Sequence, residues 1–108
     1  MMKTITYNKL VRDRIPEIIE SSGKKAVYET ITKDGDYIKL LKDKLVEEMN
    51  EFLESDDVAE LADMGEVMHA ILEYKGVSVE TFQRIRLEKL EKRGGFKNRL
   101  LLKEVIEE

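Results

Sequence analysis

The segment between Asp57 and Lys75 carries apolar side chains around most of its circumference when it is drawn as an α-helix. A helix of this kind has no broad face suited to water, so neighbouring helices must surround it. The chain has 108 residues, which is the size of one domain, and we assign residues 1–108 to that domain. Because the few helices of so short a chain hardly enclose this segment, we predict a mainly α-helical bundle that is completed by oligomerisation, as a homodimer or homotetramer.

Start and stop signals divide the remaining chain into helices and connections. Residues 4–15 mix β-branched and basic side chains and are predicted to be extended or irregular. Pro16 is suited to the first turn of a helix, and Gly76 is suited to a helix end. Asp36, Ser78 and the break at residues 55–57, which ends at Asp57, supply N-caps. These signals predict helices over residues 16–22, 36–54, 57–75 and 79–93.

Two other short segments favour strands. Residues 26–32 (AVYETIT) alternate small or apolar with polar side chains and are rich in β-branched residues. Residues 100–106 are apolar and alternate towards their end, although a helix is nearly as well favoured there. We therefore predict a small peripheral strand pair beside the helices.

The composition limits the classes of partner. With 42% hydrophobic and 39% charged residues, the chain is expected to be soluble and helix-rich. A net charge of −4 disfavours general binding to nucleic acid or to an anionic membrane. The absence of cysteine excludes disulfides, thiolate zinc sites and a cysteine nucleophile, and no apolar stretch reaches membrane-spanning length. These features predict a cytoplasmic protein with neither nucleic acid nor a membrane as its partner.

Two pairs of acids stand out because of their positions on the predicted helices. They are Glu48-x-x-Glu51 and Glu60-x-x-Asp63, on either side of a break at residues 55–57. At about 100° per residue, Glu60 and Asp63 fall inside the apolar sector of their helix, and Glu48 falls at the edge of the apolar arc of its own. A carboxylate in such a sector needs a cation, a hydrogen-bond donor or a proton.

If the two helices form a hairpin, the four acids face one another and offer oxygen ligands that suit Mg²⁺, or Mn²⁺ in its place. The other interpretation is that they are surface acids paired with bases such as Lys44. The residue pattern alone favours the two interpretations about equally.

The same acids carry a resemblance to a known family. The pattern Glu47-Glu48-x-x-Glu51 followed by Glu60-x-x-Asp63 resembles the metal-binding signature of the MazG-type all-α nucleoside triphosphate pyrophosphohydrolases. Residues 7–16 (YNKLVRDRIP) and 89–96 (KLEKRGGF) are similar to a small MazG-like subgroup that is often described as related to phosphoribosyl-ATP pyrophosphohydrolase. The resemblance covers nearly the whole chain. One departure is the short gap between the acidic pairs, residues 52–59, which affects the space for a nucleobase.

The resemblance implies a function and a set of roles. It implies a MazG-like helical bundle that cleaves a nucleoside triphosphate to the monophosphate and pyrophosphate, with removal of unwanted (d)NTPs as one biological purpose. Four carboxylates would hold Mg²⁺, namely Glu48, Glu51, Glu60 and Asp63. One of these acids, or the neighbouring Glu47, would orient or deprotonate the attacking water, which makes Glu47, Glu48 and Glu51 the candidate catalytic residues.

Substrate phosphates also need cationic side chains. Lys89 and Arg93 are four residues apart on the last helix and share a face, as in a Lys-x-x-x-Arg arrangement of similar proteins. They could instead compensate the dipole at the end of their helix. Lys9 and Arg12, with Arg14, form a second basic cluster that could act as a phosphate-binding arm or could be an ordinary exposed basic segment.

Three other functions remain open from the sequence. The first keeps the chemistry and takes phosphoribosyl-ATP as substrate. The second is a non-catalytic helical module that oligomerises or regulates a partner, in which case the acids are structural. The third is a di-iron centre built from Glu66-x-x-His69, but this pair lies on a stripe away from Glu60 and Asp63, so we interpret it as solvated surface.

Overall fold

The part of the chain that the structure describes folds into four α-helices. In a computed structural model, which describes residues 2–107, they are α1 (Ile15–Ser21), α2 (Asp34–Ser55), α3 (Val58–Lys75) and α4 (Val79–Arg93). The predicted mainly α-helical class is confirmed. Each predicted helix is present, with bounds that differ by at most two residues.

The start of α2 differs from the prediction. The helix begins at Asp34, and Lys33 stands before it in an extended conformation without a side-chain cap. Asp36 is therefore not the N-cap but lies inside the first turn together with Asp34. Two carboxylates in a first turn interact favourably with the positive end of the helix dipole, which accounts for a start without a capping side chain.

A two-residue turn folds α3 back against α2. Asp56 adopts a left-handed conformation (φ 56°, ψ 18°), and its amide donates to the carbonyl of Phe52 at 2.8 Å. Asp57 then caps α3 as predicted, since its carboxylate accepts from the amide of Ala59 at 2.9 Å. The first turn of α2 lies beside the last turn of α3, where the rings of Tyr37 and Tyr74 meet edge to face with centroids 6.0 Å apart. The two helices therefore form an antiparallel hairpin.

The helix α4 follows after a short stop. Gly76 ends α3 in the left-handed region at φ 70°, where an L side chain would be strained, and Ser78 caps α4 by accepting from the amide of Thr81. Among the helices, α4 packs against α3 alone. Both caps agree with the sequence prediction.

The interior is small for a chain of this length. Within residues 2–107, Leu41 and Val67 are the only buried apolar side chains, and they lie on the two helices of the hairpin. The third buried side chain is that of an acid, Glu48. The core of the single chain is therefore the seam between α2 and α3, and the acidic residues lie along that seam.

The predicted strand pair is wrong. Residues 26–32 and 100–106 are irregular, and the described part of the chain contains no strand. Val27 is 90% exposed and residues 100–106 are all exposed. Only Ala26 and Ile31 of the first segment are half-buried, so neither segment has a continuous covered face. A strand needs a partner for its backbone groups and a face to cover, and neither segment finds one here.

None of the helices within residues 2–107 combines the length and the apolar character needed to cross a bilayer.

Candidate metal centre

The hairpin brings together acids from the second half of α2 and the first half of α3. Glu48 lies two turns before the end of α2, and Glu60 and Asp63 lie in the first two turns of α3. Because the helices are antiparallel and joined by a tight turn, these positions stand opposite one another. One carboxylate oxygen from each of the three residues lies within 4.8 Å of the others.

Burial of Glu48 distinguishes this triad from a chance group of surface acids. The residue is 7% exposed, and its Oε2 atom is buried without a hydrogen-bond partner. That oxygen has no partner among residues 2–107, whereas the other oxygen, Oε1, has Lys44 Nζ at 3.5 Å. A buried carboxylate oxygen without a donor destabilises the fold by roughly 1–3 kcal/mol. A cation bound among the three acids would satisfy it.

Basic side chains neutralise part of the acidic seam. Lys9 donates to Glu47 at 2.7 Å, and Lys44 donates to the other oxygen of Glu47 at 3.2 Å. Arg12 Nη2 donates to Asp63 Oδ1 at 2.7 Å. The contacts of Lys9 and Arg12 tie the N-terminal segment to the acids of the hairpin, and the contact of Lys44 lies within α2.

The acids along the seam outnumber the bases that contact them, which leaves a net negative charge. The acids along the seam are Glu47, Glu48, Glu51, Glu60 and Asp63, and the bases that contact them are Lys9, Arg12 and Lys44. When all are ionised, five negative charges face three positive ones. The difference of two equals the charge of one divalent cation.

The pKa values of the acids report the same crowding. Burial, followed by repulsion from Glu51, raises the pKa of Glu48, although Lys44 opposes the shift. Partial burial and then repulsion from Glu51 raise the pKa of Glu60. Partial burial alone would raise the pKa of Glu47, but hydrogen bonds from Lys9 and Lys44 outweigh it and leave that pKa lowered. Glu48 and Glu60 thus retain their protons more readily than ordinary glutamates.

The donor set fits a hard divalent cation. All three ligand groups are carboxylates, which suit Mg²⁺ and Mn²⁺ better than softer ions. Mg²⁺ binds oxygens at about 2.0–2.1 Å, so two oxygens on opposite sides of it stand about 4.2 Å apart. Oxygens at neighbouring positions around it stand about 3 Å apart. A cation bound by all three carboxylates would therefore draw their oxygens closer together than the 4.8 Å within which they lie.

The structure brings three of the four predicted metal ligands together. Glu48, Glu60 and Asp63 form the triad, whereas Glu51 is exposed and lies beside the triad without belonging to it. Glu51 is nevertheless close enough to raise the pKa values of Glu48 and Glu60.

The candidate phosphate-binding residues also separate into two groups. Lys9 and Arg12 lie at the acids, through the contacts described above. Lys89 and Arg93 are exposed on α4, a helix that does not pack on α2, and neither forms an ion pair with an acid in the described part of the chain. Within a single chain, the structure does not bring them to the triad.

Lys44, which the sequence analysis gave as a base that could pair with the acids of the hairpin, does contact two of them. Its side chain is only 15% exposed and contacts both Glu47 and Glu48. Its spacing of three and four residues from these acids on one helix is the signal that identifies it.

His69 lies elsewhere. It is half-exposed and stands 3.6 Å from Glu73, four residues along the same helix. This position agrees with the interpretation of a solvated stripe on α3.

No protein-family model, curated protein or solved structure matches this chain.

Proposed function

We propose that this protein is a Mg²⁺-dependent nucleotide pyrophosphohydrolase of the MazG-like type, which converts a nucleoside triphosphate to the monophosphate and pyrophosphate. The observation that supports this most strongly is the buried, unpartnered Glu48 oxygen within the triad of Glu48, Glu60 and Asp63. The family resemblance of the sequence supplies the reaction. The antiparallel hairpin supplies an acidic site of the kind that such a reaction needs.

The triad would hold the cation, and Glu51 would stand beside it as a fourth carboxylate. Bound Mg²⁺ would neutralise phosphate charge and position the anhydride for attack. Glu51 forms no ion pair with a basic side chain within residues 2–107, so its carboxylate is free to accept a proton. Glu47 is held by two lysines and has a lowered pKa, which disfavours it as the general base.

The reaction consumes one water. Its oxygen forms a bond to phosphorus, the anhydride P–O bond breaks, and pyrophosphate and the monophosphate leave. The proton released by the water passes to a carboxylate, for which Glu51 is the best candidate. Glu47, held in place by Lys9 and Lys44, would orient the water or the neighbouring acids.

The phosphates would be contacted by bases that already lie at the site. Arg12 and Lys9 are in hydrogen-bond contact with acids of the hairpin. Lys89 and Arg93 would take part only if α4 of another copy, or a rearranged α4, covered the hairpin. This makes their role dependent on the homo-oligomer that the sequence predicts.

The experiment is a measurement of pyrophosphate release from a panel of NTPs, dNTPs and non-standard nucleotides, with Mg²⁺ and with EDTA. We expect metal-dependent release with formation of the monophosphate. Glu60→Gln should abolish it, whereas Glu66→Gln on the same helix should not, because Glu66 is exposed and outside the triad. Preference for non-standard nucleotides would support a role in removing unwanted (d)NTPs.

Phosphoribosyl-ATP belongs in the same panel as a separate arm. If the protein hydrolysed that compound and no NTP, phosphoribosyl-ATP would replace NTPs as the proposed substrate. The proposed metal site would be unaffected. Absence of metal-dependent hydrolysis of every compound by folded protein would contradict the proposed activity and favour a non-catalytic helical module.

A further inference from the structure

The N-terminal arm, residues 3–14, lies across the acidic seam. It contains neither helix nor strand, and it bends at Asn8, which has a positive φ of 48°. Two contacts fix it to the hairpin, Lys9 to Glu47 and Arg12 to Asp63. A small cavity of about 60 Å³ separates residues 8–10 of the arm from α2.

The two contacts have different consequences for the site. Lys9 binds Glu47, which is not in the triad, and its ammonium also lies 5.5 Å from the centre of the Tyr7 ring. Arg12 binds Asp63, which is in the triad. Arg12 therefore stands where a divalent cation would have to compete with it, whereas Lys9 does not.

We propose that Arg12 is an internal counter-cation of the triad, which leaves Asp63 when a divalent cation binds and is then free to contact a substrate phosphate. This inference rests on the proposed function, since it takes the triad to be the metal site. It assigns to one residue two partners in turn, Asp63 in the metal-free protein and a phosphate in the loaded one.

The exposure of the pair makes such an exchange feasible. The side chains of Arg12 and Asp63 are 54% and 40% exposed. Ion pairs as exposed as this are weak, so a divalent cation attracted by three carboxylates can replace the guanidinium. The Lys9 contact with Glu47 would remain and keep the arm close to the site.

The released guanidinium suits the incoming substrate. Its planar set of N–H donors matches two oxygens of one phosphate group, and it stays charged at any physiological pH. Phosphates that bind a cation in the triad would stand next to Asp63, where the Arg12 guanidinium lies before the cation binds. The substrate class that this residue would help to select is therefore a polyphosphate carried on a divalent cation.

The test measures Mn²⁺ binding by electron paramagnetic resonance on the full chain, for the wild type, Arg12→Gln and Arg12→Lys. Arg14→Gln is the control, because Arg14 pairs with Glu17 within three residues and touches no acid of the triad. We expect Arg12→Gln to bind Mn²⁺ about two- to fivefold more tightly than the wild type, because the competing charge is gone. Arg12→Lys and Arg14→Gln should stay near the wild-type affinity.

A second titration adds inorganic triphosphate to the Mn²⁺-loaded proteins. We expect both Arg12 variants to bind it more weakly than the wild type, and Arg14→Gln to bind it equally well. Unchanged or weaker Mn²⁺ binding by Arg12→Gln, or unchanged triphosphate binding by both Arg12 variants, would overturn the inference while leaving the metal site intact. Failure of the folded wild type to bind Mn²⁺ would overturn the proposed function as well.

Discussion

At the scale of single residues, Glu48 is where stability of the fold and function of the site oppose each other. Its carboxylate is buried on the seam between α2 and α3, with one oxygen near Lys44 and the other without a partner. A charge in such a place destabilises the metal-free protein, because desolvation is only partly compensated. A bound cation would reverse the balance, so stability and metal binding should be linked at this residue.

Glu48→Gln tests this link, because the amide removes the charge and keeps the shape. In EDTA we expect the variant to be more stable than the wild type by about 1 kcal/mol, since a neutral group is buried at lower cost. Added Mg²⁺ should raise the unfolding temperature of the wild type and leave that of the variant unchanged. Thermal unfolding followed by circular dichroism measures both.

Glu54→Gln on the exposed side of α2 is the control for that comparison, and it should behave as the wild type in both conditions. A Glu48→Gln protein that is less stable in EDTA and still responds to Mg²⁺ would contradict the link.

The pH dependence of stability follows from the same carboxyls. Glu48 and Glu60 have pKa values raised above the ordinary 4.5, so each binds its proton more tightly in the folded than in the unfolded chain. Their contribution to stability is complete below pH 4.5 and is lost as the pH rises through the raised values. Glu47, with a lowered pKa, contributes in the opposite sense: its contribution is complete above pH 4.5 and is lost as the pH falls below that value.

In EDTA we therefore expect the free energy of unfolding to fall as the pH rises from 4.5 towards neutrality, and the fall to be reduced in the double variant Glu48→Gln, Glu60→Gln. Urea unfolding at a series of pH values measures it. Equal slopes in the two proteins would show that these carboxyls do not govern the pH dependence.

At the scale of helices, the turn between α2 and α3 determines whether the acids converge. The Asp57 cap secures the first turn of α3, and that turn carries Glu60. The Ser78 cap does the same for α4, which carries no member of the triad. The two caps therefore offer a matched pair of substitutions.

We expect Asp57→Ala and Ser78→Ala each to lower the free energy of unfolding by about 1 kcal/mol, because each leaves amides at a helix start without an acceptor. Only Asp57→Ala should also weaken Mg²⁺ binding, measured by calorimetry. If both variants lost Mg²⁺ affinity equally, the local role of the α3 cap would be wrong.

Local signals in the sequence were sufficient for the helices. Apolar spacing and the capping residues Asp57 and Ser78 predict α3 and α4 because these signals act within a few residues of the chain. The strand prediction failed for the opposite reason. Residues 26–32 have a strand-like composition, but a strand depends on a distant partner that the fold does not supply.

The site was predictable only in part, because some of its contacts join segments that are distant in the sequence. The spacing of the acids and the hairpin placed Glu48, Glu60 and Asp63 together, but helix angles alone put Glu48 at the edge of an apolar arc. It is the most buried of the three because α3 covers that side of α2, which is a tertiary effect. The contact between Arg12 and Asp63 spans 51 positions, and no local pattern predicts it.

At the scale of the whole molecule, the single chain is elongated. Its radius of gyration is 19.2 Å and its dimensions are 70 × 32 × 25 Å, whereas a compact domain of this length has a radius near 13 Å. Large apolar side chains stay exposed on α4, among them Leu87 at 50% and Leu90 at 44%. A surface of this kind is typical of a chain that buries its helices against other copies of itself.

We therefore expect sedimentation equilibrium at micromolar concentration to show a homodimer or homotetramer. Association would cover apolar surface that the described part of one chain leaves in water. A stable monomer at that concentration would contradict the prediction and would also remove the route by which Lys89 and Arg93 could reach the triad.

The central claim is that the acids of the hairpin hold a divalent cation. The most direct measurement is anomalous X-ray diffraction from crystals of the protein grown with Mn²⁺. The account predicts an anomalous peak between the carboxylates of Glu48, Glu60 and Asp63, with the Arg12 guanidinium moved away from Asp63. A structure with Mn²⁺ bound elsewhere, or with the triad free of Mn²⁺ and Arg12 still on Asp63, would contradict it.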